Sequence, residues 1–176
     1  MKQYLLIDIG GTFIKYSLTD AHAQKVSGGK VPTPLTGMDD LLAAIEGFAA
    51  PWKGQFEGCA VSMPGRIDTK RGIAHTGGIL MWEQPFAALL EQQLGVPVTI
   101  ANDGKCAAAA EAWTGSLAGV DNGLVLVLGT GIGGGIILNG KVYMGSHSAA
   151  GEVSNLVTEL GSMEGDDFRF DVIGKV

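Results

Sequence analysis

Two glycine-rich turns are the features of this sequence whose residue types could bind a charged ligand. Each turn directly follows a short run that is apolar apart from Asp8, at residues 5–9 and 124–128. The turn residues are Gly10, Gly11, Thr12, Gly129, Thr130 and Gly131. Glycine has no Cβ atom to keep a ligand from the backbone, and successive N–H groups in such a turn can face an anion. A tight turn between strands is the alternative for either turn alone, but the repetition favours two cradles for a polyphosphate.

An acidic side chain, Asp103, completes the set of groups that could do chemistry. It follows Asn102 at the end of a strand pattern over residues 97–100. Phosphoryl transfer needs groups that position the phosphates and a base near the attacking hydroxyl. Two phosphate cradles with a carboxylate between them therefore predict this reaction. Taken alone, Asp103 could instead be an ordinary cap for the helix that follows.

The elements that must position these residues alternate between strand and helix patterns. The predicted elements are a hairpin over residues 4–19, an edge strand ended by Pro32, helices over 39–49, 86–94 and 106–113, and strands over 58–62 and 97–100. Alternation of this kind after an opening hairpin predicts an α/β domain with a mixed sheet.

A second copy of the opening pattern begins at residue 124. It contains strands over 124–128 and 134–138, an Asn-Gly turn, and a short strand over 141–144. A repeat unit cannot close its core with half of its elements. We therefore interpret residues 1–118 as an N-terminal α/β lobe with the first phosphate turn and Asp103. Residues 119–176 are then the start of an incomplete second lobe, with the second phosphate turn.

Composition excludes several classes of function. The chain has 46% apolar residues, 28 glycines and a net charge of −6, with no basic run, which argues against a nucleic-acid partner. It contains neither a signal-peptide pattern nor an uninterrupted apolar stretch of ~18 residues, so we expect a cytoplasmic protein without a membrane partner. Cys59 and Cys106 lack metal-ligand spacing, which predicts buried free thiols.

The motifs occur together and in a recognisable order. Residues 8–12 read DIGGT, 101–103 read AND, 128–136 read LGTGIGGGI, and 150–152 read AGE. This ordered set, spread over residues 4–155, resembles the ROK family of sugar kinases within the actin-like ATPase superfamily. The resemblance implies an actin-like ATPase (ribonuclease H-like) lobe with a mixed sheet, plus the opening strands of a second, similar lobe.

The resemblance also implies a role for each matching residue. Asp103 would be the general base that takes the proton of a sugar hydroxyl, and Asp8 would hold Mg²⁺, mostly through water. The residues implied to bind the phosphates of ATP are Gly10, Gly11, Thr12, Lys15, Gly129, Thr130 and Gly131. Those implied to bind the sugar are Gly65, Asn102, Asp103, Glu152 and Asn155. The implied reaction is ATP-dependent phosphorylation of a hexose or hexoside at the 6-hydroxyl. For Glu152, an acid in the first turn of a helix is the alternative.

The sequence departs from the usual pattern of the family after Glu152. Many members place a histidine at this point, followed by cysteines that bind a structural zinc ion. Here the residues are Val153, Ser154 and Asn155, and no cysteine follows, so no zinc is expected. The pattern resembles the zinc-lacking branch, which includes β-glucoside kinases.

Three other interpretations compete with a working kinase. A sugar-binding regulator of the ROK type would bind the same ligand without catalysis, and a truncated kinase would be inactive. A dinucleotide-binding domain is disfavoured because residues 136–138 continue into an Asn-Gly turn and not into a helix. The resemblance, and not the composition, suggests a homodimer.

Overall fold

A computed structural model describes residues 2–75, 83–129 and 132–153 of the chain. The chain forms two compact units, residues 1–103 (unit 1) and 104–176 (unit 2). The lobe boundary predicted after residue 118 stays a prediction, because compactness alone does not define a lobe. The predicted α/β class with a mixed sheet is confirmed.

Unit 1 is built on a five-stranded mixed sheet. Its strands are β1 (Gln3–Ile9), β2 (Phe13–Asp20), β3 (Lys25–Pro32), β4 (Cys59–Met63) and β7 (Val98–Asn102), in the order β3-β2-β1-β4-β7. The predicted opening hairpin is confirmed, since β1 and β2 pair antiparallel and β3 continues the meander. Strands β4 and β7 run parallel to β1. The three parallel strands, β1, β4 and β7, therefore end at the same edge of the sheet.

Two helices complete unit 1. Helix α1 covers Met38–Ala49 and ends in a short 3-10 turn, and helix α2 covers Phe86–Leu94. Gly95 terminates α2 with a φ of 72°, a left-handed conformation that glycine adopts without strain. Two short strands, β5 (Ile67–Asp68) and β6 (Ile73–Ala74), pair across the turn of residues 69–72, and the sequence patterns did not predict them. The turn residues Thr76, Gly77 and Gly78 predict a loop, which lies outside the described residues.

The core of unit 1 lies between the sheet and its helices. Alternate residues of β1, namely Leu5, Ile7 and Ile9, are buried against apolar residues of α1 and α2. Tyr16 of β2 stacks on Phe48 of α1 with 4.1 Å between ring centroids. Cys59 belongs to this core, and its burial raises the pKa of the thiol to about 12, so it stays uncharged at neutral pH.

Unit 2 repeats the opening meander of unit 1. It begins with helix α3 (Asp103–Thr114), whose first residue still belongs to unit 1. Its strands are β8 (Gly123–Leu128), β9 (Ile132–Leu138) and β10 (Lys141–Tyr143), in the order β10-β9-β8. Asn139 and Gly140 join β9 to β10 with φ values of 52° and 71°, as the predicted Asn-Gly turn requires. Helix α3 begins three residues before the predicted start at Cys106, so Asp103 opens it.

The first strand of unit 2 differs from β1 in its surroundings. Leu124, Leu126 and Leu128 are all more than half exposed, whereas the corresponding alternate residues of β1 are buried. Among the described strands, unit 2 has counterparts of β1, β2 and β3 but none of β4 or β7. This agrees with the predicted opening strands of a second, similar lobe.

Glycines bring the backbones of unit 2 into close contact. A Cβ atom on Gly104 of α3 would lie 2.6 Å from the backbone nitrogen of Gly134, and one on Gly135 would lie 2.5 Å from the Cβ atom of Ala108. From the sequence, Gly133, Gly134 and Gly135 beside the second turn are also expected to let a ligand approach the backbone. For Gly134 and Gly135 the structure corrects this, because the space beside them is filled by the chain itself.

None of the helices in the described part of the chain combines the length and the hydropathy that crossing a bilayer requires.

Candidate active site

The candidate site is the edge where the parallel strands of unit 1 end. In the register of the parallel strands, Asp8 of β1 pairs with Ser62 of β4, and Ser62 pairs with Ala101 of β7. Asn102 and Asp103 follow Ala101 directly. Ligands of open α/β sheets bind outside the carboxyl ends of the parallel strands, so this edge is where a ligand is expected.

Asp8 is held through both oxygens of its carboxylate. The Ser62 hydroxyl donates a hydrogen bond to Asp8 Oδ1 at 3.1 Å, and Lys15 Nζ lies 3.3 Å from Asp8 Oδ2. The side chains of Lys15 and Asp8 are 69% and 44% exposed, so their ion pair contributes no more than about 1 kcal/mol to stability. The strand pairing, and not this ion pair, fixes the position of Asp8.

The first glycine-rich turn, residues 10–12, connects β1 to β2 and is tied to the end of β3. The Thr33 hydroxyl donates to the Gly10 carbonyl at 2.7 Å, and the Thr33 N–H donates to the Thr12 carbonyl at 3.0 Å. The Gly10 N–H donates to the Phe13 carbonyl at 3.0 Å, so it is already used within the turn. Gly11 and Thr12 are exposed, and a Cβ atom on Gly11 would meet no atom within 4 Å. The open part of this turn is therefore around Gly11.

Two of the predicted sugar-binding residues contact each other. Asn102 is only 3% exposed, and its Nδ2 donates to the Gly65 carbonyl at 3.0 Å. Gly65 has a φ of 97°, in the left-handed region that favours glycine, and its turn leaves β4 beside the end of β7. The side-chain amide of Asn102 thus fixes the turn of Gly65, besides any role in binding.

We predict that Asn102→Asp destabilises the protein. The change removes the donor and sets a buried carboxylate oxygen against the Gly65 carbonyl, which should lower the free energy of unfolding by about 2 kcal/mol. Urea titration measures this loss. The matched control is Asn122→Asp, which should change stability by less than about 0.5 kcal/mol, because Oδ1 of Asn122 accepts from the Asn139 N–H and an aspartate oxygen can do the same. Equal losses in both variants would contradict the structural role of Asn102.

Asp103 is exposed at the first position of α3. The positive end of the helix dipole favours a negative charge there. An exposed carboxylate beside the end of β7 can accept a proton from a bound hydroxyl. Its position at a helix start also matches the capping alternative, so geometry at this residue alone does not distinguish the two roles.

The remaining predicted residues belong to unit 2. Gly129 follows β8 directly and is exposed. Glu152 is half-buried in a turn, and its N–H donates to the Ala149 carbonyl at 3.1 Å. Thr130, Gly131 and Asn155 lie outside the described residues, as does most of the helix predicted near Glu152.

Unit 1 therefore brings together, at one sheet edge, Asp8, the turn of Gly10, Gly11 and Thr12, Lys15, Gly65, Asn102 and Asp103. Sequence analysis missed two residues that hold this edge, Ser62 and Thr33. Ser62 carried a usable signal, because it is a polar residue at the end of an otherwise apolar strand. Thr33, between two prolines, carried none.

The residues around Asp8 fit a magnesium ion that arrives with a nucleotide. Mg²⁺ prefers oxygen ligands, keeps several waters, and is usually bound through one or two carboxylates and the substrate phosphates. Asp8 offers a partly exposed carboxylate of this kind. Across the described ranges of the chain, no three histidine, cysteine, aspartate or glutamate side chains cluster as an all-protein metal site.

The fold and this edge together define the class of protein: an α/β lobe of the actin-like ATPase type, with a glycine-rich turn and acidic residues at the strand ends. The family model described as "ROK family" matches residues 4–160. The chain belongs to the ROK family.

Relatives of the chain are named as carbohydrate kinases. It is 36% identical over 154 residues to a β-glucoside kinase of Listeria monocytogenes, covering 86% of this chain and 52% of that protein. It is 34% identical over 157 residues to an N-acetyl-D-glucosamine kinase of Vibrio vulnificus, covering 87% and 52%. The chain therefore spans about half the length of the curated relatives it matches.

Solved structures agree with this assignment. A ROK family glucokinase from Streptomyces griseus, in complex with glucose and AMPPNP, has a TM-score of 0.81 and 31% identity, covering 89% of this chain and 51% of that one. A ROK hexokinase from Thermus thermophilus has a TM-score of 0.75 and 31% identity, covering 90% and 54%. The fold of this chain is thus that of ROK sugar kinases.

Proposed function

We propose that this chain provides the acceptor site and the first phosphate turn of an ATP-dependent sugar kinase. The observation that carries the proposal is the edge of unit 1, where Asp8 and the turn of Gly10–Thr12 lie at the end of β1 and Asn102-Asp103 at the end of β7, with β4 between these strands. Phosphoryl transfer is mostly a matter of positioning and charge stabilisation, and these residues supply both kinds of group. The kinase names of the relatives favour catalysis over the regulator alternative.

In the proposed reaction Asp103 acts as the general base. A hydroxyl of the sugar, the 6-hydroxyl in our proposal, attacks the γ-phosphorus of ATP and gives its proton to the Asp103 carboxylate. The new bond joins the sugar oxygen to phosphorus, the bond to the oxygen between the β and γ phosphates breaks, and ADP leaves with that electron pair. The exposed position of Asp103 at the end of β7 allows a hydroxyl to reach it.

The phosphates and the metal are assigned to the two glycine-rich turns and Asp8. The residues proposed to contact phosphate are Gly10, Gly11, Thr12, Lys15, Gly129, Thr130 and Gly131. Asp8 would hold Mg²⁺, mostly through water, and the ion when bound neutralises charge on the phosphate oxygens. The open space beside Gly11 supports this assignment for the first turn.

The sugar is assigned to residues at and after the strand ends. Those proposed to bind it are Gly65, Asn102, Asp103, Glu152 and Asn155. Asn102 and Gly65 are assigned to the sugar as a pair, because the bond from Nδ2 of Asn102 to the Gly65 carbonyl holds the two residues together at the strand ends. The relatives point to glucose, a β-glucoside or N-acetylglucosamine as acceptors to test. A homodimer remains a prediction.

The test is binding and turnover with this chain. Calorimetry should detect binding of at least one of glucose, a β-glucoside and N-acetylglucosamine. A separate titration should detect binding of Mg-ATP. A coupled assay should then detect ADP release that depends on the bound sugar. Binding of neither sugar nor nucleotide would contradict the proposal. Sugar binding without ADP release would support the acceptor site and contradict catalysis by this chain.

A further inference from the structure

We propose that Ser62 is a positioning residue for Asp8, and that Lys15 is the counterion of Asp8 in the free protein. When the metal–nucleotide complex binds, Lys15 leaves the Asp8 carboxylate and contacts a phosphate of the nucleotide. The inference rests on the proposed function, because it deepens the role of Asp8 and Lys15 at the phosphate site. The observation behind it is that the two oxygens of one carboxylate have two different kinds of partner, a neutral hydroxyl and a cation.

The Ser62 contact is built into the sheet. Ser62 lies opposite Asp8 in the parallel pairing of β1 with β4, and its half-buried hydroxyl donates to Oδ1 at 3.1 Å. Strand pairing on both sides of β4 fixes the Ser62 backbone, so the hydroxyl is held where a metal-bound carboxylate needs a second partner. Hydrogen bonds of this kind orient carboxylate ligands and leave the other oxygen for the metal.

The Lys15 contact, unlike that of Ser62, is an exposed ion pair. Lys15 pairs with Asp8 in the antiparallel register of β1 with β2, but its long side chain is 69% exposed and its Nζ lies 3.3 Å from Oδ2. An exposed ion pair of this kind is weak, so Lys15 can change partners at little cost. While it contacts Oδ2 it competes with a divalent cation, and once released it is a cation beside the first glycine-rich turn.

Loss of the Lys15 contact should change the affinities for the metal alone and for the metal with nucleotide in opposite directions, whereas loss of the Ser62 contact should lower both. Lys15→Met should strengthen binding of free Mn²⁺ about threefold, because the competing charge is gone. It should weaken binding of Mn-ATP about tenfold, because a charge-assisted contact to phosphate is lost. Ser62→Ala should weaken both, by about tenfold, the lower end of the usual effect of losing a ligand's supporting hydrogen bond. Ser62→Thr restores the hydroxyl and should recover most of the affinity.

Electron paramagnetic resonance of Mn²⁺, titrated into the full 176-residue chain with and without ATP, measures both affinities. Ser17→Ala is the matched control for Ser62, because the Ser17 hydroxyl donates to the Ser27 carbonyl of the same sheet and not to Asp8. Lys25→Met, on the exposed strand β3, is the control for the change in charge at Lys15. Both controls should leave the two affinities unchanged.

The outcomes separate the inference from the proposed function. If wild type binds Mn-ATP and Ser62→Ala binds it equally well, or if Lys15→Met changes both affinities in the same direction, the inference is overturned and the proposed function stands. If wild type does not bind Mn-ATP at all, the proposed nucleotide site fails and the inference fails with it. Loss in Ser62→Ala with recovery in Ser62→Thr, together with opposite shifts in Lys15→Met, supports the inference.

Discussion

Replacement of Asp103 by asparagine is expected to lower the rate of sugar phosphorylation by about 10²–10⁴-fold, the usual contribution of a general base. Asparagine has the same size and can still cap the first turn of α3, so the helix should form normally. It cannot accept the proton of the sugar hydroxyl. The dissociation constant for the sugar should therefore change by less than about fivefold while turnover is lost, as measured by calorimetry and a coupled ADP assay.

The matched control is Asp39→Asn. Asp39 is an exposed aspartate in the first turn of α1, so the substitution makes the same change in charge at a comparable position of another helix of unit 1. A purely electrostatic or capping effect should be similar in both variants. If Asp103→Asn keeps full turnover, or if Asp39→Asn loses as much, Asp103 is not the base and the capping alternative explains its position.

Much of the architecture could be predicted because local patterns decide it. The apolar runs at β1 and β8, the alternation along β2, the Asn139-Gly140 turn and the Gly95 terminus of α2 each depend on residues close together in sequence. The start of α3 was placed three residues late. Its first residues, Asp103 and Gly104, are of types that are common in turns, so the sequence pattern alone did not show that they are helical.

The contacts that hold the candidate site could not be predicted in the same way. Ser62 bonds Asp8 from 54 residues away, and Thr33 bonds Gly10 from 23 residues away. Such contacts depend on which strands become neighbours and in what register, which no local pattern specifies. The motif DIGGT indicates a phosphate turn, but the residues that fix its shape come from β4 and from the end of β3.

Glycine shows a second limit of sequence analysis. The glycines of the first turn and those of β9 look alike in sequence, and both suggest that a ligand approaches the backbone. In the structure Gly11 is next to open space, whereas Gly134 is next to the backbone of Gly104. Absence of a side chain permits either a ligand or another backbone to approach, and only the fold determines which one does.

Gly104→Ala is therefore expected to destabilise the protein, although alanine is the better helix former. In an unobstructed helix the change gains about 1 kcal/mol. Here the new Cβ atom would lie 2.6 Å from the nitrogen and 2.8 Å from the oxygen of Gly134. These are backbone atoms of a paired strand and cannot move as a flexible side chain does, so overpacking should cost about 3 kcal/mol. We expect a net loss of about 2 kcal/mol in the free energy of unfolding.

Gly47 of α1 is the matched control, because it is also a helical glycine but a Cβ atom there would meet nothing within 4 Å. Gly47→Ala should raise the free energy of unfolding by about 0.5–1 kcal/mol. The two Gly→Ala changes should thus have opposite signs in urea denaturation. A stabilising effect at Gly104 would mean that α3 does not pack against β9 through glycine contacts, and the glycines of β9 would again be available for the ligand role that the sequence suggested.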